Sequence, residues 1–449
     1  MRRRLLLLSL LVVLLITACD TTNQQPAVAD SNDLLKEVRQ LIKRHSIYNV
    51  SDKQLTTGAL KGMVEAQHDP YSSFFTAEES ILQRSRLAKE RVGIGFHIMQ
   101  QGERFIIAEV VPGTSAAEEN LQPGDELVAV NQVAVKGLSV EQLVHQLSGK
   151  EGTTVTLKVL SKVDQQLHDI QLERRKLPQH TLTASTLESK DQSYGYISLS
   201  VFGEGTAEEW QQALQLFEKK GIEGLIIDVR GNPGGYLGSV VPILEDLLGP
   251  GIPLLWMENA KGELEWMKSE REAVYTGPVV VLQDSHSASA SEVMLAALLE
   301  SERAISVGRT TFGKGTVQET FTFKNESSLK LSTKKWLTPR KKWIQGTGVA
   351  PIIETKQPAL SDLKQVPVTE TEWQNFYKIL ALVGFSSDSS QGSNTNPILS
   401  FQHHMNLPQT GQVDSAFVIH LRERYKSWLK QEDNDEAIQL ALDYFSHSQ

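Results

Sequence analysis

The sequence has little cysteine, little positive charge and no long apolar run. Cys19 is the only cysteine in 449 residues, and the formal net charge is -9. An acidic chain argues against a nucleic-acid partner, and the basic stretch "STKKWLTPRKKW" is more typical of a solvated strand edge or a substrate groove. The apolar run from Leu5 to Ile16 is shorter than the about 20 residues that a membrane-spanning helix needs. The length favours roughly two to four globular domains.

The N-terminus has the pattern of an export signal. Three arginines at positions 2 to 4 precede the short apolar run, which predicts a signal peptide over residues 1–18. The run ends in "ITAC", which resembles a bacterial lipobox, so we expect Cys19 to be a lipid acceptor rather than a buried thiol. Residues 19–32 would be a flexible tether. The predicted product is an exported, membrane-anchored lipoprotein on the extracytoplasmic face of a bacterial cell.

The next two segments differ in hydrophobic period. Residues 33–90 contain "LLKEVRQLIKRH" and "TTGALKGMVEA", whose apolar spacing predicts a helical segment that packs or dimerises. Residues 91–175 contain short β-type runs such as "RFIIAEVV" and "TTVTLKVL", separated by turn signals such as "QPGD". This second segment resembles a PDZ domain, because "GIGF" and the later "SAAEENLQPGDELVAVNQ" stand where that family has its characteristic sequence.

The PDZ resemblance implies a peptide-binding role. Members of that family add an extended peptide to a sheet edge and hold its free C-terminal carboxylate on backbone N–H groups. Carried over by position, the carboxylate-binding loop consists of Gly93, Ile94, Gly95 and Phe96. A small β-domain without a ligand is the alternative.

Residues 181–355 predict an α/β domain. "EGLIIDV" reads as a buried strand, "RGNPGG" as a tight turn, "YLGSVVPILEDLL" as a helix and "GPVVVLQD" as a further strand. That strand leads into "SHSASASE", which has serines at positions 287, 289 and 291 before a helical run. An N-cap cluster would account for these serines, with Glu292 suiting the helix dipole. Strand–turn–helix junctions are also where such folds place reactive groups.

The C-terminal part is helical and polar. "TEWQNFYKILALVGF" and "NPILSFQHHMNL" flank a serine-rich loop, and we assign residues 368–430 to a small domain. The stretch "ILSFQHHMNLPQTGQVD" resembles a peptidoglycan-binding repeat, although the glycine-rich stretch of that family is replaced here. The matching residues are Leu399, Phe401, Gln402, Leu407, Thr410, Gly411 and Asp414. A helical packing or dimerisation appendage is the alternative.

A hydroxyl nucleophile needs a base, and histidine is scarce where it would be required. Only His286, of eleven histidines, lies between residues 181 and 355, and a pair as close in sequence as His286 and Ser289 rarely has the geometry of a triad. A histidine from another domain is the remaining source of a triad. Lys314 lies between two glycines in "TFGKGTVQ" and could act as the base if burial kept it neutral. Gln318 is four residues further on, and strand alternation would place it on the same face. An exposed hairpin lysine is the alternative.

The segment from Gly308 to Lys314 also fits the phosphate-loop pattern of nucleotide-binding proteins. Two features argue against that interpretation. Position 315 is glycine rather than the serine or threonine that would ligate magnesium, and the residues that follow alternate like a strand instead of opening a helix.

Two motifs in order, "SASASE" and "TFGKGTVQ", resemble those of the C-terminal-processing, or tail-specific, serine peptidases. The resemblance covers roughly residues 33 to 355. It implies a multidomain α/β and α+β protein with an N-terminal helical segment, a PDZ domain, an α/β protease core of the ββα-superhelix type and, here, a small helical C-terminal domain.

The resemblance also implies roles for individual residues. Ser289 would be the nucleophile, Lys314 the general base and Gln318 its support. The oxyanion hole would use the N–H of Ala290 and one from the "GNPGG" turn, either Gly234 or Gly235. The family usually has glycine where this chain has His286, and usually has tyrosines near the position of "KKWLTP", so we expect the substrate groove to differ in detail.

The sequence therefore predicts an exported serine endopeptidase with a Ser-Lys dyad that recognises free C-termini of protein substrates. We expect no metal and no organic cofactor, because no cluster of His, Cys and carboxylates appears. Peptidoglycan, the membrane and a second copy of the chain are further expected partners, and nucleic acid is not. A catalytically inactive scaffold that binds protein tails and tethers them to the cell wall is the alternative.

Overall fold

A computed structural model describes residues 31–363, 365–386 and 396–447. The chain divides into two units, one that ends at Phe74 and one that starts at Phe75. The predicted signal peptide, Cys19 and most of the predicted tether lie outside the described residues. Over the described ranges, no helix has both the length and the hydropathy required to cross a membrane.

The first unit is helical. Its helices are α1 (Ser31–His45) and α2 (Asp52–Glu65). Ser51 caps α2 in a reciprocal capping box with Gln54, which satisfies two N–H groups at the helix start. Helix α1 carries an apolar stripe at helical spacing whose side chains are more than a third exposed. These residues are Leu34, Leu35, Val38, Leu41 and Ile42.

The second unit holds the remaining elements. Its helices are α3 (Ala77–Ser85), α4 (Ser115–Glu118), α5 (Val140–Leu147), α6 (Thr206–Lys220), α7 (Leu237–Leu248), α8 (Ala290–Glu300), α9 (Glu370–Leu382), α10 (Pro397–His404), α11 (Ser415–Leu429) and α12 (Glu436–His447). Strand β1 (Ser73–Phe75) lies at the boundary of the units. The other strands are β2 (Glu90–Gly93), β3 (Phe96–Gln101), β4 (Arg104–Val110), β5 (Glu126–Val130), β6 (Val133–Ala134), β7 (Thr154–Leu160), β8 (Leu167–Glu173), β9 (Arg175–Pro178), β10 (Leu182–Ser189), β11 (Gln192–Leu199), β12 (Gly224–Asp228), β13 (Pro253–Asn259), β14 (Leu264–Lys268), β15 (Val279–Gln283), β16 (Ile305–Gly308), β17 (Thr316–Thr322), β18 (Ser328–Leu337) and β19 (Ile353–Glu354).

A β-domain follows α3. Its sheet has the order β3-β4-β5-β7-β8, and β6 pairs with β5. Alternate residues of these strands and Leu143 of α5 form its apolar core, as the short alternating runs predict. Strands β2 and β9 pair antiparallel and bring the two ends of the domain together.

The central sheet has the order β10-β11-β12-β15-β16-β19. All its pairs are parallel except β10 with β11. Every residue of β12 and of β15 is buried, which explains their unbroken apolar sequences. Helices α6, α7 and α8 cover one face, where Leu225 and Ile227 point. Helix α12 covers the other face, where Ile226 points.

A second sheet contains β13, β14, β17 and β18, paired antiparallel. The residues after Lys314 thus form a strand and not a helix, so the phosphate-loop interpretation is wrong. The strand instead pairs with the following one through a tight connection.

Helices α9, α10 and α11 form a separate apolar cluster, which we call the helical module (residues 360–430). Aromatic side chains fill its centre, including Phe376, Phe401 and Phe417. The segment after the module had no assignment from the sequence. It returns to the central sheet as α12, so the module is an insertion between two parts of the core rather than a terminal appendage.

Candidate active site

Two loops meet beyond the carboxyl ends of β12 and β15. These strands are adjacent and parallel, with Asp228 opposite Leu282. Asp284 fixes both loops, because its buried carboxylate oxygen Oδ1 accepts hydrogen bonds from the N–H groups of Gly231 (2.9 Å), His286 (2.9 Å) and Ser287 (3.1 Å). The glycine-rich turn and the serine cluster are therefore held side by side.

The three serines of the cluster have different environments. Ser287 is fully buried and donates its hydroxyl to Val229 O at 2.8 Å. Ser291 is also fully buried, and its hydroxyl donates to Asn232 O at 3.0 Å. Ser289 is half-buried, and its side chain caps no N–H of the following helix. Ser287 and Ser291 thus use their hydroxyls to hold the neighbouring glycine-rich turn, whereas Ser289, at the N-cap position, is the least buried of the three.

Ser289 also has an unusual backbone. Its φ is 55° and its ψ is -113°, a conformation that a residue with a Cβ rarely adopts. Helix α8 begins at the next residue, Ala290. A nucleophile on a strained strand-to-helix turn, next to a helix N-terminus, is favoured electrostatically when negative charge develops on its substrate.

Glu292 joins the serine to the lysine segment. Its side chain is completely buried, and its oxygen Oε2 accepts from the N–H of Ser289 and from the N–H of Lys314, both at 2.8 Å. The other oxygen, Oε1, accepts from Thr311 Oγ1 and Gly313 N, both at 2.6 Å. Since one oxygen receives both of the first two bonds, the two nitrogens cannot be more than roughly 6 Å apart. Residues 25 positions apart in sequence are thereby brought together.

Lys314 lies in a closely packed loop. Its side chain is half-buried, and its carbonyl oxygen accepts from Trp336 Nε1 at 2.8 Å. A Cβ added to Gly313 would lie 2.9 Å from Gly346 N, and one added to Gly315 would lie 2.7 Å from Trp343 Nε1. The flanking glycines are thus required for close approach of the backbone, as the sequence suggested.

Strand alternation does not relate Gln318 to Lys314. Lys314 precedes β17 and so does not share its alternation, and the pairing register shifts between Val317 and Gln318, where β18 carries the extra residue. The Nε2 group of Gln318 donates to Thr316 Oγ1 at 2.8 Å and Thr316 O at 3.1 Å, with Ser332 Oγ at 3.4 Å. A role for Gln318 beside the lysine cannot be based on strand spacing.

The two candidate oxyanion glycines are not equivalent. The N–H of Gly234 already donates to Asn232 Oδ1 at 2.8 Å. The N–H of Gly235, within the part of the chain that the structure describes, has no acceptor, although its neighbours bond to Phe202. A Cβ on Gly234 would lie 2.7 Å from Ser289 Cβ and 2.9 Å from Ala290 N, so the turn presses against the serine.

A buried charge cluster precedes this turn. Arg230 pairs with Asp228 at 2.6 Å and with Asp435, from the distant C-terminal segment, at 2.9 Å. Burial lowers the pKa of the Arg230 guanidinium, but the two carboxylates raise it by more, so that it lies well above its ordinary value. Burial beside Asp228, to which the Tyr196 hydroxyl donates at 2.7 Å, raises the pKa of that tyrosine strongly.

Sequence reasoning missed Glu292, Asn232 and Asp435 as site residues. The sequence assigned Glu292 only an interaction with the helix dipole, and its hydrogen bonds to the segment around Lys314 were not predicted. Arg230, the partner of Asp435, lies 205 positions from it, and no spacing rule connects the two residues.

The loop assigned to carboxylate binding lies at the start of β3. Ile94 and Phe96 are buried in the core of the β-domain, and Gly95 has a φ of 95°. A Cβ on Gly95 would overlap the side chain of Thr114, so only glycine fits there. The turn thus leads directly into an edge strand, the position from which a sheet can accept a peptide.

Comparison with protein families matches three parts of the chain. The model of peptidase family S41 matches residues 193–355, the PDZ domain model matches residues 80–160, and the model of the activating protease CtpB N-terminal domain matches residues 17–79. The S41 match contains both the serine cluster and the lysine loop.

Similar proteins of known name span most of the chain. The carboxy-terminal processing protease CtpB of Bacillus subtilis (strain 168) is 31% identical over 422 residues, which cover 91% of this chain and 88% of that protein. CtpA of the same organism, also a carboxy-terminal processing protease, is 33% identical over 76% of this chain and 72% of its own. Among solved structures, the photosystem II D1 C-terminal processing protease has 24% identity and a TM-score of 0.45, over 74% of this chain and 95% of that one.

Proposed function

Because the chain belongs to the carboxy-terminal processing proteases of peptidase family S41, we propose that it cleaves protein substrates near free C-termini by means of a Ser289–Lys314 dyad. The observation that carries this proposal is the shared acceptor Glu292 Oε2, to which the N–H groups of both residues donate. The half-buried position of Ser289 between two fully buried serines supports it further.

The chemistry is acyl transfer. Neutral Lys314 Nζ accepts the hydroxyl proton as Ser289 Oγ attacks the peptide carbonyl carbon. The tetrahedral intermediate breaks its C–N bond, and the amine leaves with the proton that the lysine took. Water then attacks the acyl-serine ester, Lys314 accepts a proton from that water, and the proton returns to Ser289 as the acid departs.

For the oxyanion hole we assign Ala290 N and Gly235 N. The N–H of Gly234 is bonded to Asn232, whereas that of Gly235 is without an acceptor among the described residues. Removing a donor of this kind typically costs about a hundredfold or more in kcat. Gln318 would support Lys314 through Thr316, to which it already donates, rather than by direct alternation along a strand.

The loop of Gly93, Ile94, Gly95 and Phe96 would hold the substrate's terminal carboxylate, with the peptide added along β3. This geometry is supported by the edge position of β3 and by α5, whose Leu143 lies in the same core. Tail capture in the PDZ domain would raise the local concentration of the substrate near the cleft.

Location and partners complete the proposal. Lipidation at Cys19 would anchor the enzyme on the extracytoplasmic face of the membrane. The exposed stripe of α1 would pair with a second copy of the chain and form a dimer. Residues of the helical module that match the peptidoglycan-binding repeat, including Phe401 and Gln402, would form a wall-binding fold.

The test uses the full chain and two unstructured peptides of equal length, one with a free C-terminus and one amidated. Ser289→Ala and Lys314→Ala should each abolish cleavage, and Lys324→Ala, which alters an exposed lysine between β17 and β18, should leave it unchanged. The amidated peptide should show a KM at least about tenfold higher, because its carboxylate is missing.

Undiminished cleavage by Lys314→Ala would contradict the dyad. Equal turnover of both peptides would contradict tail recognition. Binding of the free-ended peptide without any cleavage by the wild-type chain would instead support the scaffold alternative.

A further inference from the structure

The C-terminal segment reaches the glycine turn through one side chain. Asp435 is almost completely buried, and its oxygens Oδ1 and Oδ2 accept from Arg230 NH1 at 3.0 Å and NH2 at 2.9 Å. Arg230 stands immediately before Gly231, the first residue of the turn that ends at Gly235. A bidentate pair of this kind fixes the plane and direction of the guanidinium.

Both ends of this arginine are held. On the side of β12, Asp228 accepts from Arg230 Nε at 3.0 Å and NH2 at 2.6 Å, and from the Arg230 backbone N–H at 2.9 Å. The side chain therefore spans two carboxylates that belong to the sheet and to the C-terminal segment. Losing either would leave the half-buried guanidinium with one carboxylate in place of two.

Asp435 is itself fixed in place. Its Oδ1 also accepts from the N–H groups of Ala437 and Ile438 at the start of α12. That helix packs on the central sheet, and Phe445 stacks on Tyr194 with 5.1 Å between ring centres. The position of the carboxylate is thus set by the sheet and does not depend on a loop.

The turn needs such a restraint. Three of its glycines have φ values of 73° (Gly231), 98° (Gly234) and 148° (Gly235), and a glycine-rich segment loses more conformational entropy on ordering than any other. Asn232 orders the middle of the turn through Gly234, and Asp284 orders Gly231. Arg230, immediately before Gly231, is the remaining residue that restrains the start of the turn.

We propose that Asp435 is a positioning residue for the peptidase, which acts through Arg230 to hold the turn so that Gly235 N–H points at the developing oxyanion. The inference rests on the proposed function. It gives the segment after the helical module a part in catalysis, although none of its residues touches the substrate.

The experiment compares two neighbouring substitutions in the full chain. Asp435→Asn weakens the pair with Arg230. Glu436→Gln is the matched control, because Glu436 Oε2 also ties the segment to the core, through the N–H groups of Lys356 (3.0 Å) and Gln357 (2.6 Å), but it does not contact Arg230. For each variant, kcat and KM are measured on the free-ended peptide, together with the inhibition constant of a peptide aldehyde, whose adduct with serine carries the oxyanion.

Asp435→Asn should lower kcat roughly tenfold with KM within about twofold, and should weaken the aldehyde by a similar factor, since only the charged adduct uses the turn. Glu436→Gln should keep kcat and the inhibition constant of the aldehyde within about twofold of the wild-type values, even if it lowers the melting temperature. Asp435→Glu should not restore the turn fully, because the longer side chain shifts the carboxylate.

If the wild-type chain cleaves the peptide, then an unchanged kcat in Asp435→Asn, or a lower kcat with unchanged aldehyde inhibition, would overturn the role of Asp435 and leave the proposed function standing. A wild-type chain that leaves the peptide intact would overturn the proposed function and this assignment together. If Asp435→Asn is unfolded at the assay temperature by circular dichroism, Arg230→Lys decides by the same criteria, because lysine keeps the charge but cannot bridge two carboxylates in that geometry.

Discussion

The protease core and the helical module each bury a polar side chain with several hydrogen bonds, and the two side chains work over very different distances. In the module, Gln402 bonds to Thr410 Oγ1 at 3.1 Å, Gln412 O at 2.9 Å and Gly411 N at 3.0 Å. All three partners lie within ten residues of it. In the core, three of the four donors to Glu292 lie 19 to 22 residues away.

This difference separates two uses of a buried polar group. Gln402 closes one turn of chain and so stabilises a local fold, together with Asp414, which caps α11. Glu292 joins the ends of separate strands and so determines where two candidate catalytic residues stand. Loss of the Gln402 side chain should lower stability, and loss of the Glu292 carboxylate should lower turnover.

The largest effect is expected from Gly234→Ala in the core. The new Cβ would lie 2.7 Å from Ala288 O and from Ser289 Cβ, in a backbone conformation that disfavours side chains. We expect kcat to fall by about a hundredfold or more, because the serine and the oxyanion turn must separate. Steady-state kinetics on the free-ended peptide would measure it.

Gly238→Ala is the control, because nothing lies within 4 Å of its added Cβ. It should leave kcat unchanged and stabilise the exposed start of α7 by up to about 1 kcal/mol. Equal activity of the two variants would show that the contact between the turn and the serine is not needed for catalysis.

Glu292→Gln should have the next largest effect. Each oxygen of Glu292 accepts two hydrogen bonds. In either orientation of the glutamine amide, its NH₂ group would therefore face two hydrogen-bond donors and could not accept from them. We expect kcat to fall by roughly thirtyfold to a hundredfold with a smaller change in KM. Glu300→Gln, at the other end of the same helix, should change neither, and a similar loss in both variants would contradict the joining role of Glu292.

In the module, Gln402→Ala should change stability and leave turnover as it was. Three hydrogen bonds are lost, and the free energy of unfolding of the module should fall by about 2 kcal/mol. Chemical denaturation followed by tryptophan fluorescence would measure this, with Gln409→Ala as an exposed control. A large fall in kcat on a short peptide would mean that the module acts on the site directly.

Ser291→Ala should give the smallest effect. Its hydroxyl makes one bond, to Asn232 O, so we expect a stability loss of about 1 kcal/mol and a kcat within about threefold of the wild-type value. Calorimetry and the same peptide assay would measure both. Inactivation as complete as that of Ser289→Ala would indicate that the hydroxyl of Ser291 takes part in the reaction.

Much of the fold could be predicted because the sequence patterns that indicate it involve residues close together in the chain. The unbroken apolar runs of β12 and β15 predicted buried parallel strands, and the turn signals between residues 91 and 175 predicted a small β-domain. The predicted role of Gln318 beside Lys314 stays a prediction, because Lys314 lies before β17 and the spacing between the two residues does not fix their relative position. Helix α12 was missed because its apolar face is matched only by a sheet face formed by distant strands.

By itself, the sequence determined the order of the helical, β-rich and α/β segments and the two motifs that contain Ser289 and Lys314. It did so because hydrophobic periodicity, helix-capping residues and glycines at turns act over a few neighbouring residues. Only the tertiary structure decided which serine of the cluster is least buried, which glycine has an N–H without an acceptor among the described residues, and that Glu292 and Asp435 connect separate segments. These properties depend on hydrogen bonds between groups far apart in the chain, and such bonds exist only once the sheet has brought the strand ends together.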